Sequence, residues 1–131
     1  MSDRNLRPIL IVAILVFSMF TGSYGRSVTY TEADSGKTVQ LKVGNSIIIV
    51  LDGNLTTGYS WGIAPNLPSI VKLTKEPEFS TSSELIGAGG KYTFQFTAVK
   101  PGKDVIKLVY RRIWEKIKPI KTCYIKITVI D

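Results

Sequence analysis

Residues able to perform covalent chemistry are scarce in this sequence. The 131 residues include one cysteine and no histidine. Without histidine, one chain cannot build a Ser-His-Asp or Cys-His catalytic site, and a histidine-containing zinc site is excluded as well. A lone cysteine can form neither an all-cysteine zinc site nor an internal disulfide. The composition therefore excludes the common nucleophilic enzymes, zinc proteins and disulfide-stapled mini-proteins.

The carboxylates add little to this inventory. Glu76 and Glu78 could in principle act as acid and base, but they lie in a polar Lys-Glu-Pro-Glu stretch. A calcium site needs clustered carboxylates, which the sequence lacks. We therefore expect no enzyme, no metal and no cofactor, and the function that remains is binding.

Three segments between strand-like runs carry residue types suited to binding. Residues 52–59 present small hydroxyl groups in a tight turn, and residues 85–90 leave a nearly bare backbone that another main chain could approach closely. An alternating strand follows the second segment, so it lacks the helix that a phosphate cradle needs. The third segment, residues 110–116, carries Arg and Trp, which are enriched in binding hot spots. The predicted contact residues are Asn54, Leu55, Thr56, Thr57, Gly58, Tyr59, Leu85, Ile86, Gly87, Ala88, Gly89, Gly90, Arg112, Ile113 and Trp114.

Each segment also has a plainer interpretation. The first could be an ordinary loop, the second a glycine-rich hairpin turn, and Trp114 could pack into the core. We expect Trp114 to be exposed, because it lies in a charged segment at the end of a strand.

Period-two alternation of apolar residues predicts the strands that must position these segments. Seven or eight short strands in about 106 residues favour an all-β, immunoglobulin-like two-sheet sandwich. The uninterrupted apolar run 46–51 is typical of a strand buried on both faces, and Cys123 falls on the apolar phase of the last strand, which predicts a buried thiol. Alternate loops of such a sandwich gather at one end. The predicted strands are near 27–31, 39–43, 46–51, 59–63, 70–73, 92–96, 106–110 and 123–129.

Residues 1–25 resemble a secretory signal peptide. Arg4 and Arg7 precede an apolar run over 9–20, and small residues stand at Ser23 and Gly25. The alternative is an uncleaved membrane anchor, although the run is shorter than the ~20 residues of a spanning helix. We predict a mature domain of residues 26–131, secreted or extracytoplasmic: periplasmic, at the cell exterior or in an endomembrane lumen, depending on the host.

The net positive charge of residues 26–131 comes from the last third of the chain. Residues 26–99 carry 6 Lys+Arg and 6 Asp+Glu, whereas residues 100–131 carry 9 and 3. This basic third could meet an anionic partner surface or accelerate association, or it could be a solvated sheet face. No nucleic-acid motif is present, so we expect no nucleic-acid partner.

The three segments together resemble the chagasin-like inhibitors of papain-family cysteine peptidases. The family motifs are Asn-Pro-Thr-Thr-Gly-Tyr, then Gly-x-Gly-Gly, then Arg-Pro-Trp or Arg-Pro-Phe. Leu55 and Ile113 stand where the family has proline, which should raise the cost of ordering the loops by roughly 0.4–1 kcal/mol each. The matching residues are Asn54, Thr56, Thr57, Gly58, Tyr59, Gly87, Gly89, Gly90, Arg112 and Trp114.

This resemblance implies a reversible, tight-binding inhibitor whose three loops fill the active-site cleft of a papain-family cysteine peptidase. By resemblance, Thr56 and Thr57 lie at the catalytic Cys-His pair, residues 85–90 follow the non-primed subsites, and Arg112 and Trp114 occupy the primed side. Tyr59, Trp61 and Tyr110 support the loops. We expect a monomer, with no membrane contact after signal cleavage. The alternative is an extracytoplasmic immunoglobulin-like module that binds glycan or protein and leaves peptidases unaffected.

Overall fold

The computed structural model describes residues 26–81 and 89–131. The predicted signal peptide or anchor at 1–25 lies outside the described residues, as do Leu85, Ile86, Gly87 and Ala88. The described residues form nine strands and two single 3-10 turns, Glu32–Asp34 and Leu55–Thr57. The strands are β1 (Ser27–Thr31), β2 (Thr38–Lys42), β3 (Ser46–Gly53), β4 (Ser60–Ile63), β5 (Val71–Leu73), β6 (Glu78–Thr81), β7 (Gly90–Ala98), β8 (Gly102–Arg111) and β9 (Lys121–Ile130).

The strands form two mixed sheets, which confirms the predicted sandwich. The first sheet has the order β1-β3-β7-β5, with β6 also paired to β7, and the second has the order β2-β9-β8-β4. All eight predicted strands are present. The additional strand, β6, lies in a polar stretch without alternating apolar residues, so periodicity could not reveal it. No helix of the described residues is long and apolar enough to cross a membrane.

Two parallel pairings bring the ends of the domain together. β1 runs parallel to β3, and β2 runs parallel to β9. The amide of Ser46 donates to the carbonyl of Arg26 at 2.7 Å, and the amide of Val43 donates to the carbonyl of Ile130 at 3.0 Å. Both ends of the domain are therefore fixed beside the turn that joins β2 to β3.

The core lies between the inward faces of the two sheets. Burying each large apolar side chain stabilises the fold by about 1.5–3 kcal/mol. The strand β3 departs from expectation, because Ile48 and Val50 are only half-buried on its outer face. The prediction that this strand is buried on both faces is wrong, since no described segment forms a layer over the outer face of the first sheet. The largest fully buried side chains are Phe94, Phe96, Ile47, Ile49, Leu51, Ile106, Leu108, Ile125, Ile127 and Cys123.

The thiol of Cys123 should be inert in the folded protein. Its side chain is fully buried, which confirms the predicted core thiol, and burial raises the pKa of that thiol. An exposed thiol with a pKa of about 8.5 reacts readily at about pH 8. We expect Ellman's reagent to label no cysteine in the native protein at that pH and one per chain in urea. Equal labelling rates in the two conditions would contradict the packing of β9 described here.

Candidate functional site

Two strand connections, and the strand ends that flank a third, lie at the end of the sandwich remote from the termini of the described domain. The first loop, residues 54–59, crosses from β3 in the first sheet to β4 in the second. The second loop, residues 82–89, joins β6 to β7, and the third loop, residues 112–120, joins β8 to β9. The register places Gly53 opposite Gly90 and Ser60 opposite Arg111. The register also places Thr81 opposite Gly90, so the first and third loops and the strand ends that flank the second loop lie at one end of the sandwich.

The first loop is a turn organised by Asn54. The Asn54 Oδ1 accepts hydrogen bonds from the Thr56 amide at 3.0 Å and from the Thr56 hydroxyl at 2.6 Å. The Thr57 hydroxyl donates to the carbonyl of Asn54 at 2.7 Å. An Asn side chain that bonds the backbone two residues on fixes a tight turn. Both threonines are exposed. The Thr57 hydroxyl also accepts a hydrogen bond from the Tyr59 amide at 3.3 Å, so both threonine hydroxyls form hydrogen bonds within the turn.

Aromatic residues anchor the base of the first loop. Tyr110 stacks on Tyr59 with 5.5 Å between ring centroids and lies 5.2 Å from the Trp61 ring. The Tyr110 hydroxyl accepts a hydrogen bond from the Asn54 amide at 3.1 Å. The Trp61 indole N–H donates to the carbonyl of Asp52 at 2.8 Å. The three aromatic residues expected to support the loops are thus in contact with one another and with the loop backbone.

Arg112 joins the third loop to the first. Its Nε donates to the carbonyl of Thr57 at 3.1 Å, and its guanidinium lies 4.5 Å from the centroid of the Tyr59 ring. Its Nη1 lies 3.0 Å from Oε1 of Glu115, and this hydrogen bond raises the pKa of Arg112. The guanidinium therefore acts as a permanent cationic bridge between two loops. Glu115 belongs to the third segment of the sequence analysis, but its pairing with Arg112 was not predicted, although their spacing of three residues was an available signal.

The third loop presents large apolar side chains to solvent. Trp114 is 68% exposed and Ile113 is 72% exposed, which confirms the expected exposure of Trp114. The buried edge of the Trp114 ring packs against Gly58, where an added Cβ would lie 2.6 Å from Cη2. Gly58 has φ +81°, a conformation that glycine adopts at little cost. The first loop is thus shaped to receive the indole.

Two glycines allow close packing at the start of β7. A Cβ at Gly90 would lie 2.3 Å from the carbonyl oxygen of Ser80, so no side chain fits there. Gly90 is buried in β7, and its contribution is close packing, whereas Gly89 borders the surface, where its Cβ position lies 3.4 Å from the carbonyl of Gly53. Gly53 lies within the first predicted segment, but its pairing with Gly90 could not be predicted, because the two residues are far apart in the chain.

The described residues contain no group of three or more His, Cys, Asp or Glu side chains that could hold a metal ion. The first and third loops share a contact surface that presents two exposed threonines, the Arg112 guanidinium and the exposed indole of Trp114. This arrangement is suited to recognition of another molecule.

The variant Gly58→Ala should disturb the packing of the Trp114 ring against residue 58. Gly44 is a matched control, since it has φ +93° and open space around its Cβ position. Both alanine variants should lower the free energy of unfolding by about 1–2 kcal/mol through backbone strain, and Gly58→Ala should lose more by displacing the indole. We expect the Trp114 indole N–H resonance to shift in Gly58→Ala alone. An unchanged resonance would contradict the contact, and urea titrations measure the two stabilities.

Comparisons with known proteins identify the family of this chain. Residues 40–129 match the model of the family described as Chagasin family peptidase inhibitor I42. Amoebiasin-1 of Entamoeba histolytica is 33% identical over 102 residues, covering 76% of this chain and 96% of that protein. The crystal structure of the cysteine protease inhibitor EhICP2 from Entamoeba histolytica superposes with a TM-score of 0.70 at 25% identity, covering 80% of this chain and 96% of the other. The structure of PbICP-C in complex with falcipain-2 has a TM-score of 0.53 at 27% identity, covering 81% and 100% of the two chains. The chain belongs to the chagasin family of peptidase inhibitors.

Proposed function

We propose that this protein is a reversible inhibitor of papain-family cysteine peptidases and blocks the active-site cleft with its three loops. Membership of an inhibitor family supports this function, and a structural relative, PbICP-C, is in complex with falcipain-2. The observation that carries the proposal is the single surface formed by the first and third loops, held together by Arg112 and Trp114. The protein is an inhibitor and not an enzyme.

We assign the contacts within the cleft as follows. Thr56 and Thr57 meet the catalytic Cys-His pair, because they form the exposed tip of the turn. Trp114 and Arg112 take the primed side, where an indole that is 68% exposed has apolar area to bury. Residues 85–90 follow the non-primed subsites through their backbone.

The turn geometry accounts for inhibition without cleavage. A peptidase needs a peptide bond held at attack distance in a productive orientation. In the first loop the backbone is closed into a 3-10 turn, and the carbonyl of Asn54 already accepts the Thr57 hydroxyl. Because the turn is formed before binding, little ordering entropy is lost on association.

The departures from the family prolines are partly offset within this chain. Leu55 lacks the fixed φ of proline, but the two hydrogen bonds to Asn54 Oδ1 restrain the same turn. Ile113 is 72% exposed and adds apolar area beside Trp114. We therefore expect tight inhibition despite both substitutions.

We also propose that the protein acts outside the cytoplasm, after removal of residues 1–25. The basic residues Arg4 and Arg7, the apolar run over 9–20 and the small residues at Ser23 and Gly25 support this proposal.

Titration of active papain with residues 26–131 tests the function. Hydrolysis of a fluorogenic peptide should fall linearly to zero at one-to-one stoichiometry, because the preformed loops bind tightly. Mass spectrometry of the inhibitor afterwards should find an uncleaved chain. Undiminished hydrolysis at micromolar inhibitor, or cleavage within residues 54–59, would refute the proposed mechanism.

A pair of double variants tests the assignment of the loops. Thr56→Ala combined with Trp114→Ala should weaken inhibition of papain by about a hundredfold or more, since truncated hot-spot residues cost ~2 kcal/mol or more each. Lys103→Ala combined with Lys107→Ala removes two exposed cations from β8 and should change the inhibition constant by less than about threefold, through slower association. Equal losses in the two variants would mean that electrostatic attraction, and not the loops, dominates binding.

A further inference from the structure

The outer face of the second sheet carries unpaired positive charge. The strands of this sheet contain six Lys or Arg residues and one carboxylate, Asp104. Lys121 points the other way, over the Tyr110 ring at 5.7 Å. None of the remaining five forms an ion pair with any described residue. We name these five the cationic stripe: Lys42, Lys103, Lys126, Lys107 and Arg111.

The register arranges the cationic stripe as a narrow band over three adjacent strands. Lys103, Lys107 and Arg111 lie on β8, Lys126 lies on β9 opposite Val105, and Lys42 lies on β2 opposite Ile130. Outward residues along a strand are about 6.8 Å apart, since each residue advances ~3.4 Å. The stripe therefore extends about 34 Å along the strands and about 10 Å across them, because neighbouring strands are ~4.8 Å apart. The charges form a long, narrow band along the strands.

Two shallow cavities on this face are each lined by two cations of the stripe. One has a volume of about 380 Å³ and is lined by Lys103 and Lys126, with Thr38 and Thr128 at its sides. The other has a volume of about 400 Å³ and lies between Lys107 and Arg111. Each cavity therefore has two cationic side chains in its lining, together with the Asp104 carboxylate in the first and mostly apolar residues in the second.

A single aromatic residue lies between the two cavities. Tyr124 is 43% exposed, and the ammonium of Lys107 lies 5.5 Å from its ring centroid. Asp104 borders the first cavity, where its carboxylate accepts a hydrogen bond from the Val105 amide at 2.8 Å. One carboxylate leaves the face strongly positive.

The first sheet provides a contrast. Its strands contain two lysines, Lys72 and Lys91, and two carboxylates, Asp52 and Glu78. Lys91 is paired with Asp52, whereas Lys72 forms no ion pair with a described residue. The strands of the first sheet thus carry no excess of positive charge. The excess of positive charge is a property of one face and does not follow from the net charge of the chain.

We propose that the cationic stripe binds an acidic polysaccharide, a linear chain with carboxylate or sulfate groups lying along β8 and β9. A long, narrow band of cations fits a linear polyanion, whereas a lipid bilayer would engage cations spread broadly over a plane. Single-stranded nucleic acid is bound by stacking successive bases on several aromatic side chains, and this face exposes one. The hydroxyls of Thr38 and Thr128 and the amide of Gln40 can exchange hydrogen bonds with sugar hydroxyls. The cations supply charge-assisted hydrogen bonds to the anionic groups.

The polysaccharide would leave the first loop uncovered. The stripe ends at Arg111, and its second cavity reaches the third loop only at Ile113, Ile117 and Pro119. The binding surface is therefore distinct from the turn at 54–59, and the proposal does not depend on peptidase inhibition.

Binding of a fluorescein-labelled, size-defined heparin oligosaccharide to the purified chain tests the proposal. The variant Lys103→Gln/Lys107→Gln/Lys126→Gln removes three stripe cations. The matched control Lys37→Gln/Lys72→Gln/Lys75→Gln removes three cations outside the stripe, of which Lys37 and Lys75 are ion-paired. All these residues are exposed, so both variants should retain the parent's thermal midpoint.

We expect the stripe variant to bind the oligosaccharide about tenfold or more weakly and to show a shallower dependence of affinity on salt, because fewer counterions are released. The control should bind within about twofold of the parent. Equal losses in the two variants would overturn the proposal in favour of a general charge effect. Tighter binding to a single-stranded DNA of equal charge, or to phosphatidylserine vesicles, would overturn the choice of polysaccharide.

Discussion

The Tyr110 hydroxyl is the contact on which the candidate site depends. The chain leaves one sheet at Gly53 and enters the other at Ser60, and this crossing would otherwise be a free loop. Tyr110 lies on a central strand of the second sheet, yet its hydroxyl binds the Asn54 amide at the start of the crossing. Stacking with Tyr59 fixes the other end of the same loop. One buried side chain thus transfers the rigidity of the sandwich to the tip of the first loop.

The third loop is held in place by contacts with the first loop, which Tyr110 supports. Arg112 follows two residues after Tyr110, reaches back to the carbonyl of Thr57 and lies over the Tyr59 ring. The Trp114 ring then rests on Gly58. Because these contacts are made without a partner, the surface is organised before any binding event. Preorganisation of this kind improves affinity mainly by lowering the entropy lost on association.

The sequence predicted the sandwich because alternation of apolar residues is a local signal, and eight strands carry it. It could not predict β6, which pairs through its backbone while its side chains are mostly polar. The three loops could be located from residue types such as Asn54 and Trp114. The contacts between them could not, because Arg112 and Thr57 are 55 residues apart in the chain. The prediction that β3 is buried on both faces was wrong because Ile48 and Val50 are as apolar as their buried neighbours. Their exposure depends on whether another layer covers the outer face of the sheet, which the local sequence does not encode.

The parallel pairings of β1 with β3 and of β2 with β9 also determine how the domain can be held. Arg26 and Ile130 are both bonded to the turn between β2 and β3, at the far end of the sandwich from the loops. A linker, a solid support or a neighbouring domain joined at either terminus would therefore leave the loops pointing away from the attachment. The architecture permits display of the inhibitory surface from a fixed base, or in tandem along one polypeptide, without rebuilding any strand.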